Sequence, residues 1–180
     1  MGAAVIDSDE LIHEQYAHPD VQAELRSWWG ERAFAADGRV DRAAIADIVF
    51  EQPAELERLQ DFLYPRIDMQ RRALQARYAA DPSVRAIVLD VPKLFEVGLD
   101  RACDAVVFVD SDGDTRLQRL AASRGWSAND LDRREKLLMP LDKKRSMADY
   151  VVANHSDADQ LRGVVQGVFD RLLENHAGSG

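Results

Sequence analysis

One cysteine in 180 residues, Cys103, excludes an internal disulfide, and its place beside an apolar run reads as an inert core thiol. No apolar run approaches the roughly 18 residues of a membrane span, so no membrane partner is expected. The first residues lack a basic region followed by an apolar stretch, which leaves the cytoplasm as the expected location. Positive charge is in deficit: 23 Lys and Arg stand against 32 Asp and Glu, a formal charge of −9. Sequence-independent nucleic-acid binding needs a basic footprint and is not expected. A small phosphate-rich ligand is not excluded, because local charge can oppose the global sign. The four histidines, His13, His18, His155 and His176, show no metal spacing, so no metal ligand is assigned. Neither a G-x-S-x-G elbow nor a G-x-x-x-x-G-K-[ST] phosphate loop occurs in these residues, and no internal repeat stands out. The sequence leaves the oligomeric state undetermined.

What is present has the length of one domain and an ordinary apolar share of 46%. Ala3-Ala4-Val5-Ile6 reads as a buried strand, followed by a helix that Ser8 or Asp9 can cap. Pro19 starts a helix striped by Val21, Leu25, Trp28 and Trp29, and Gly30 ends it. Asp37-Gly38 is a turn, and Asp41 caps a helix over 41–50. Pro53 opens the next helix, and Pro65 either kinks it or begins another. Two continuous apolar runs, 85–91 and 104–110, fit strands buried on both faces. A helix is expected over 113–124, a shorter strand over 148–153, and a closing helix over 157–175. Strands alternating with helices predict an α/β fold with a parallel sheet, and the all-helical stretch of about 8–80 predicts a helical region set into it.

Three stretches hold chemistry-bearing residues. Asp7 and Asp9 follow the first strand, so their carboxylates emerge at the sheet's C-terminal edge. There a carboxylate can take a proton from a substrate hydroxyl or hold water around a metal; alternatively, one caps a helix and the other is solvated. Six cations, Arg133, Arg134, Lys136, Lys143, Lys144 and Arg145, crowd one short stretch; they are either a solvated helix pair or a basic lid over phosphates. Asp110-Ser111-Asp112-Gly113-Asp114 has its glycine in the wrong place for a calcium loop and reads as a strand end and helix cap.

Five ordered pieces resemble the dephospho-CoA kinase family. They are "GAAVIDSDELIHE", "DGRVDRAAIADIVF", "IVLDVPKLFEVGLD", "VVFVDSDGDTRLQRL" and "RREKLLMPLDKKRSMADYVVAN". The resemblance implies a parallel sheet of P-loop kinase type, a helical acceptor-binding region (about 8–80) and a lid (about 127–147), all in one domain spanning 1–180. It implies ATP as phosphate donor with Mg2+, and dephospho-CoA as the small-molecule acceptor phosphorylated on its 3′-hydroxyl in coenzyme A biosynthesis. Asp9 would be the catalytic base, with Asp7 supporting it or the metal shell. Arg134 and Lys144 would neutralise transferring phosphate charge. Asn154 would lie near the adenine, and Pro92, Phe95 and Glu96 would border the acceptor.

The chain departs from the family pattern at Lys93, where leucine is usual, and at Tyr64, where histidine precedes the proline. Arg116 and Leu138 stand in place of glutamines. The family's first strand, phosphate loop and helix are expected before Gly2, and their absence predicts a gap in the sheet, a truncated chain and little or no kinase activity. A non-catalytic relative that binds CoA-like ligands is the competing reading. Asp7 and Asp9 are also similar to the aspartate pair of haloacid-dehalogenase-like phosphatases, but Leu11 replaces the usual Thr or Val and no downstream lysine and acidic pair completes that set.

Overall fold

The computed structural model describes residues 2–136, 138–155 and 157–177, without the side chains of Arg124, His176 and Ala177. The chain divides into two compact units, residues 2–91 and residues from Pro92 onward.

The first unit opens with β1 (Ala3–Asp7) and closes with β2 (Ala86–Asp90), which pair in parallel with Asp7 opposite Asp90. Between them run α1 (Ser8–Ala17), α2 (Pro19–Trp29), α3 (Arg42–Glu51) and α4 (Pro53–Ala79). Gly2 enters β1 at φ +74°, where a side chain would be strained and would also press on the Ser83 carbonyl. The apolar stripes meet as expected. Tyr16, Val21, Leu25, Ala33, Phe34, Ile45, Leu59 and Leu63 form one buried core, with Trp28, Trp29 and Phe62 packed against it. Trp28 sits edge-on to both Trp29 and Phe62. Pro65 does not end the helix: α4 continues through it. An interior proline costs a helix about 3 kcal/mol. Burial of Leu59 and Leu63 on one side, and of Arg71 bonded to Asp68 and Gln75 on the other, supports the turns around it.

The second unit carries β3 (Val107–Asp110), α5 (Gly113–Arg124), α6 (Ala128–Glu135), α7 (Leu141–Met147), β4 (Tyr150–Ala153) and α8 (Ala158–Ala177). β3 and β4 pair in parallel. Both are shorter than their apolar runs, because the Asp149 carboxylate takes the Val106 amide at their start. Cys103 is half-buried rather than in the core, its thiol against the Leu99 carbonyl in a short 3-10 turn. Among the described residues the four strands make two separate two-stranded parallel ladders, β1–β2 and β3–β4.

The helix starts follow local chemistry. Asp41 accepts from the Ala43 and Ala44 amides, Asp112 caps α5 through Thr115, and Ser127 with Asp130 makes a reciprocal capping box on α6. Gly125, at φ +67°, closes α5 in the left-handed conformation that glycine adopts without a Cβ penalty. Among the described residues no helix is long and apolar enough to cross a membrane.

Candidate active site

The carboxylates of the first unit gather where β1 and β2 end. The register that sets Asp7 opposite Asp90 brings their side chains to one edge, and the first turn of α1 adds Asp9. Their roles differ. Neither Ser8 nor Asp9 caps α1. Asp7 does, accepting from Asp9 N at 2.7 Å and Glu10 N at 3.3 Å. The reason is geometric: Asp7 keeps extended backbone angles, whereas Ser8 and Asp9 are already helical. Asp7 is thereby committed to the helix end. The Asp9 carboxylate accepts no hydrogen bond among the described residues, and it stands in the first turn of α1. Asp90 is held above the ordinary carboxylate range, first by burial and then by the charges of Asp7 and Asp9. Asp90 was not singled out from sequence. Its signal was available: it closes the second apolar run as Asp7 closes the first, and parallel strands deliver both ends to one edge.

In the second unit, Pro92–Gly98 is a series of hydrogen-bonded turns that Gly98 ends at φ +70°. Glu96 is its anchor. Its carboxylate receives the Lys144 ammonium at 2.7 Å and the Met139 amide at 2.7 Å. Burial opposes its ionisation, but those two donors outweigh burial and hold it below the usual range. Lys144 is itself buried, and its ammonium also donates to the Pro92 carbonyl at 2.6 Å. This differs from the expectation of a lid cation presented to phosphate: the ammonium is turned into the protein and engaged. Phe95 is half-buried and Pro92 exposed.

Arg134 is placed differently. Its guanidinium lies over the Trp126 ring at 4.1 Å, a stacking that occupies the flat face and leaves the N–H edge directed elsewhere. Arg116, which stands in place of a glutamine, bonds the Glu135 carboxylate and the Ser111 carbonyl and so ties α5 to α6. Asn154 ends β4. Its amide donates to the Asp110 carbonyl, and its own carbonyl accepts from Arg119 and the Ser111 hydroxyl. Its side-chain amide bonds nothing among the described residues, which leaves it able to read a ligand's donor–acceptor edge.

The fit to Mg2+ is chemical rather than preformed. Asp9 and Asp90 offer hard oxygen donors, and Mg2+ is usually held by one or two carboxylates together with water and substrate phosphates. Among the described residues no group of three or more His, Cys, Asp or Glu is arranged to hold a metal.

Parallel ladders with helices between their strands define an α/β protein, and its structural neighbours give that fold the P-loop kinase type. A solved dephospho-CoA kinase from Campylobacter jejuni shares the fold, with a TM-score of 0.62 at 18% identity over 97% of this chain and 87% of that one. A crystal structure of TT1252 from Thermus thermophilus matches at a TM-score of 0.76 and 27% identity, covering 95% of this chain and 85% of its own. The family model for dephospho-CoA kinase matches residues 1–160. The dephospho-CoA kinase of Rhodopirellula baltica is 32% identical over 97% of this chain and 82% of its own length. That of Symbiobacterium thermophilum is 34% identical over 93% and 70%. The chain belongs to the dephospho-CoA kinase family.

Proposed function

We propose that this chain carries the acceptor and lid parts of a kinase that transfers the γ-phosphoryl group of ATP to the 3′-hydroxyl of dephospho-CoA, in the cytoplasm, within coenzyme A biosynthesis. The observation that carries the reading is the Asp9 carboxylate. It is unengaged among the described residues, in the first turn of α1 and near enough to Asp90 for its charge to raise that carboxyl's pKa, in a chain of this family. Asp9 takes the proton from the acceptor hydroxyl as its oxygen attacks phosphorus. Asp7 keeps Asp9 in place by capping the helix that carries it. Asp9 and Asp90 are the residues that would hold Mg2+, whose chemistry is to neutralise charge on the transferring phosphoryl oxygens. Arg134, stacked on Trp126, places a fixed cation for the same charge. Pro92, Phe95 and Glu96 border the acceptor, and the Asn154 side chain meets the adenine. The helical region of about 8–80 holds the acceptor, and the segment of about 127–147 forms the lid.

A second reading, acceptor binding without transfer, is favoured by one observation: these 180 residues contain no G-x-x-x-x-G-K-[ST] loop to hold the β- and γ-phosphates. A coupled ADP-release assay on three proteins separates the two. The 180-residue chain is expected to bind dephospho-CoA without measurable turnover. A fusion placing a family-type strand, phosphate loop and helix before Gly2 is expected to turn over. Asp9→Asn in that fusion is expected to lose about 10²–10⁴-fold in kcat, the usual cost of a missing general base, with little change in acceptor affinity. Near-full turnover by the Asp9→Asn fusion removes Asp9 from the role. A fusion that binds acceptor but never transfers phosphate leaves the binding reading in place.

A further inference from the structure

Three consecutive cations, Lys143, Lys144 and Arg145, lie in the last two turns of α7, and the middle one is buried. Its side chain is 8% exposed. A buried ammonium is costly unless it is paired and hydrogen-bonded, and this one is both. Its donors go to the Glu96 carboxylate at 2.7 Å and the Pro92 carbonyl at 2.6 Å. The same Glu96 oxygen accepts the Met139 amide, the residue before the Pro140 that opens α7. One carboxylate and one ammonium thus join three backbone points: the start of the 92–98 turns, the entry to α7 and the end of α7. An ammonium on a phosphate needs its donors free, and here two of three are spent on the protein. Arg145, the next residue, turns instead to Asp110 at the end of β3, at 2.8 Å.

We propose that Lys144 is a positioning residue: through Glu96 it locks the Pro92–Glu96 turns to α7, so that the acceptor loop and this lid helix keep one shared geometry. The proposal rests on the reading that Pro92–Glu96 borders dephospho-CoA. An ion pair suits this task better than an apolar contact. A Leu–Met contact tolerates sliding, whereas the ammonium, the carboxylate and the Met139 amide are satisfied together in one arrangement only.

The test uses the 180-residue chain and four variants: Lys144→Met, Glu96→Ala, Lys144→Met with Glu96→Ala, and Lys144→Met with Glu96→Leu. The readouts are hydrogen exchange at the Met139 amide, dephospho-CoA affinity by calorimetry, pyrophosphate affinity and thermal melting. Lys144→Met and Glu96→Ala are each expected to speed Met139 exchange at least about tenfold and to weaken dephospho-CoA binding about tenfold, and the two together no further, because they break one unit. Lys144→Met with Glu96→Leu is expected to melt close to the unmodified chain, since apolar replacement of a buried pair is often neutral, yet to keep the tenfold loss of affinity. That variant judges the proposal even if Lys144→Met alone does not fold. Unchanged Met139 exchange in Lys144→Met overturns the proposal. So does recovery of full affinity in the Glu96→Leu combination, which would make the pair scaffolding alone. Pyrophosphate binding lost in Lys144→Met but kept in Glu96→Ala would return Lys144 to the phosphate and overturn it as well. Failure of the unmodified chain to bind dephospho-CoA removes the acceptor reading instead, and Met139 exchange still decides whether the lock exists.

Discussion

The two units of this molecule are held together by different physics. Residues 2–91 contain a continuous apolar core, and among the described residues eleven of the fourteen buried hydrophobic ones lie there, from Ile6 to Leu63, with Val152, Val168 and Phe169 in the second unit. From Pro92 onward the elements are joined by polar ties: Lys144 to Glu96 and Pro92, Arg116 to Glu135 and Ser111, Arg145 to Asp110, and Asp149 to Val106. Apolar burial is non-directional and cooperative, and it suits a support that must stay put. Polar ties are few and directional, and each fixes the geometry of the particular groups it joins.

The comparison can be broken most sharply in the core. Leu25 is fully buried, and Leu25→Ala is expected to cost about 3–5 kcal/mol, because its neighbours close only part of the cavity left behind. Trp28 and Trp29 lie in the same unit and report the loss as a lower urea midpoint in fluorescence. A change under about 1 kcal/mol would mean that this core is loose and that the contrast is overstated.

In the second unit a single tie should matter less. Arg116 is 31% exposed and Glu135 35%, so solvent screens the pair. Arg116→Ala is expected to cost about 1 kcal/mol or less, with Trp126 fluorescence as the local readout. A loss as large as that of Leu25→Ala would show that the polar unit is as cooperative as the apolar one.

The smallest effect is electrostatic and belongs to the carboxylate edge. The pKa of Asp90 is raised, by burial first and then by Asp7 and Asp9. The folded state therefore binds its proton more tightly than the unfolded chain does. The corresponding stability is fully present below the ordinary carboxylate pKa and is lost as the pH rises through the raised folded value. At pH 7 Asp90 is a mild liability. Asp90→Asn is expected to raise the melting temperature at pH 7 by no more than about 2 °C, the scale of a small surface change, and to lose that advantage at pH 3. A lower melting temperature at pH 7 would show that Asp90 makes a favourable contact that its burial and like-charged neighbours do not suggest.

Helix and strand positions were legible because they depend on neighbours in the chain. The apolar runs over 85–91 and 104–110 contain the strands Ala86–Asp90 and Val107–Asp110, and Asp41, Asp112 and Gly125 set helix ends at the residues local geometry requires. The carboxylates at the strand ends were legible for the same reason, although Asp90 gained its place beside Asp7 only through the parallel register. Pro65 was ambiguous, since a proline inside an apolar helical pattern either breaks it or is overruled by packing, and here packing wins.

By itself, then, the sequence determined the alternation of helices and strands, the helix starts at Pro19, Asp41 and Pro53, and which family the chain resembles, since each depends on residue type and spacing along the chain. The tertiary structure alone decided that Asp7 is spent as a cap while Asp9 is not, that Asp90 completes the carboxylate edge, and that the strands form two ladders. It also decided which of three adjacent cations is buried. Lys143, Lys144 and Arg145 are nearly interchangeable as a string of letters. Successive residues on a helix point about 100° apart, and only the middle one faces Glu96, 48 residues earlier in the chain. A charge chooses its partner by distance in space, and that distance is set by the fold.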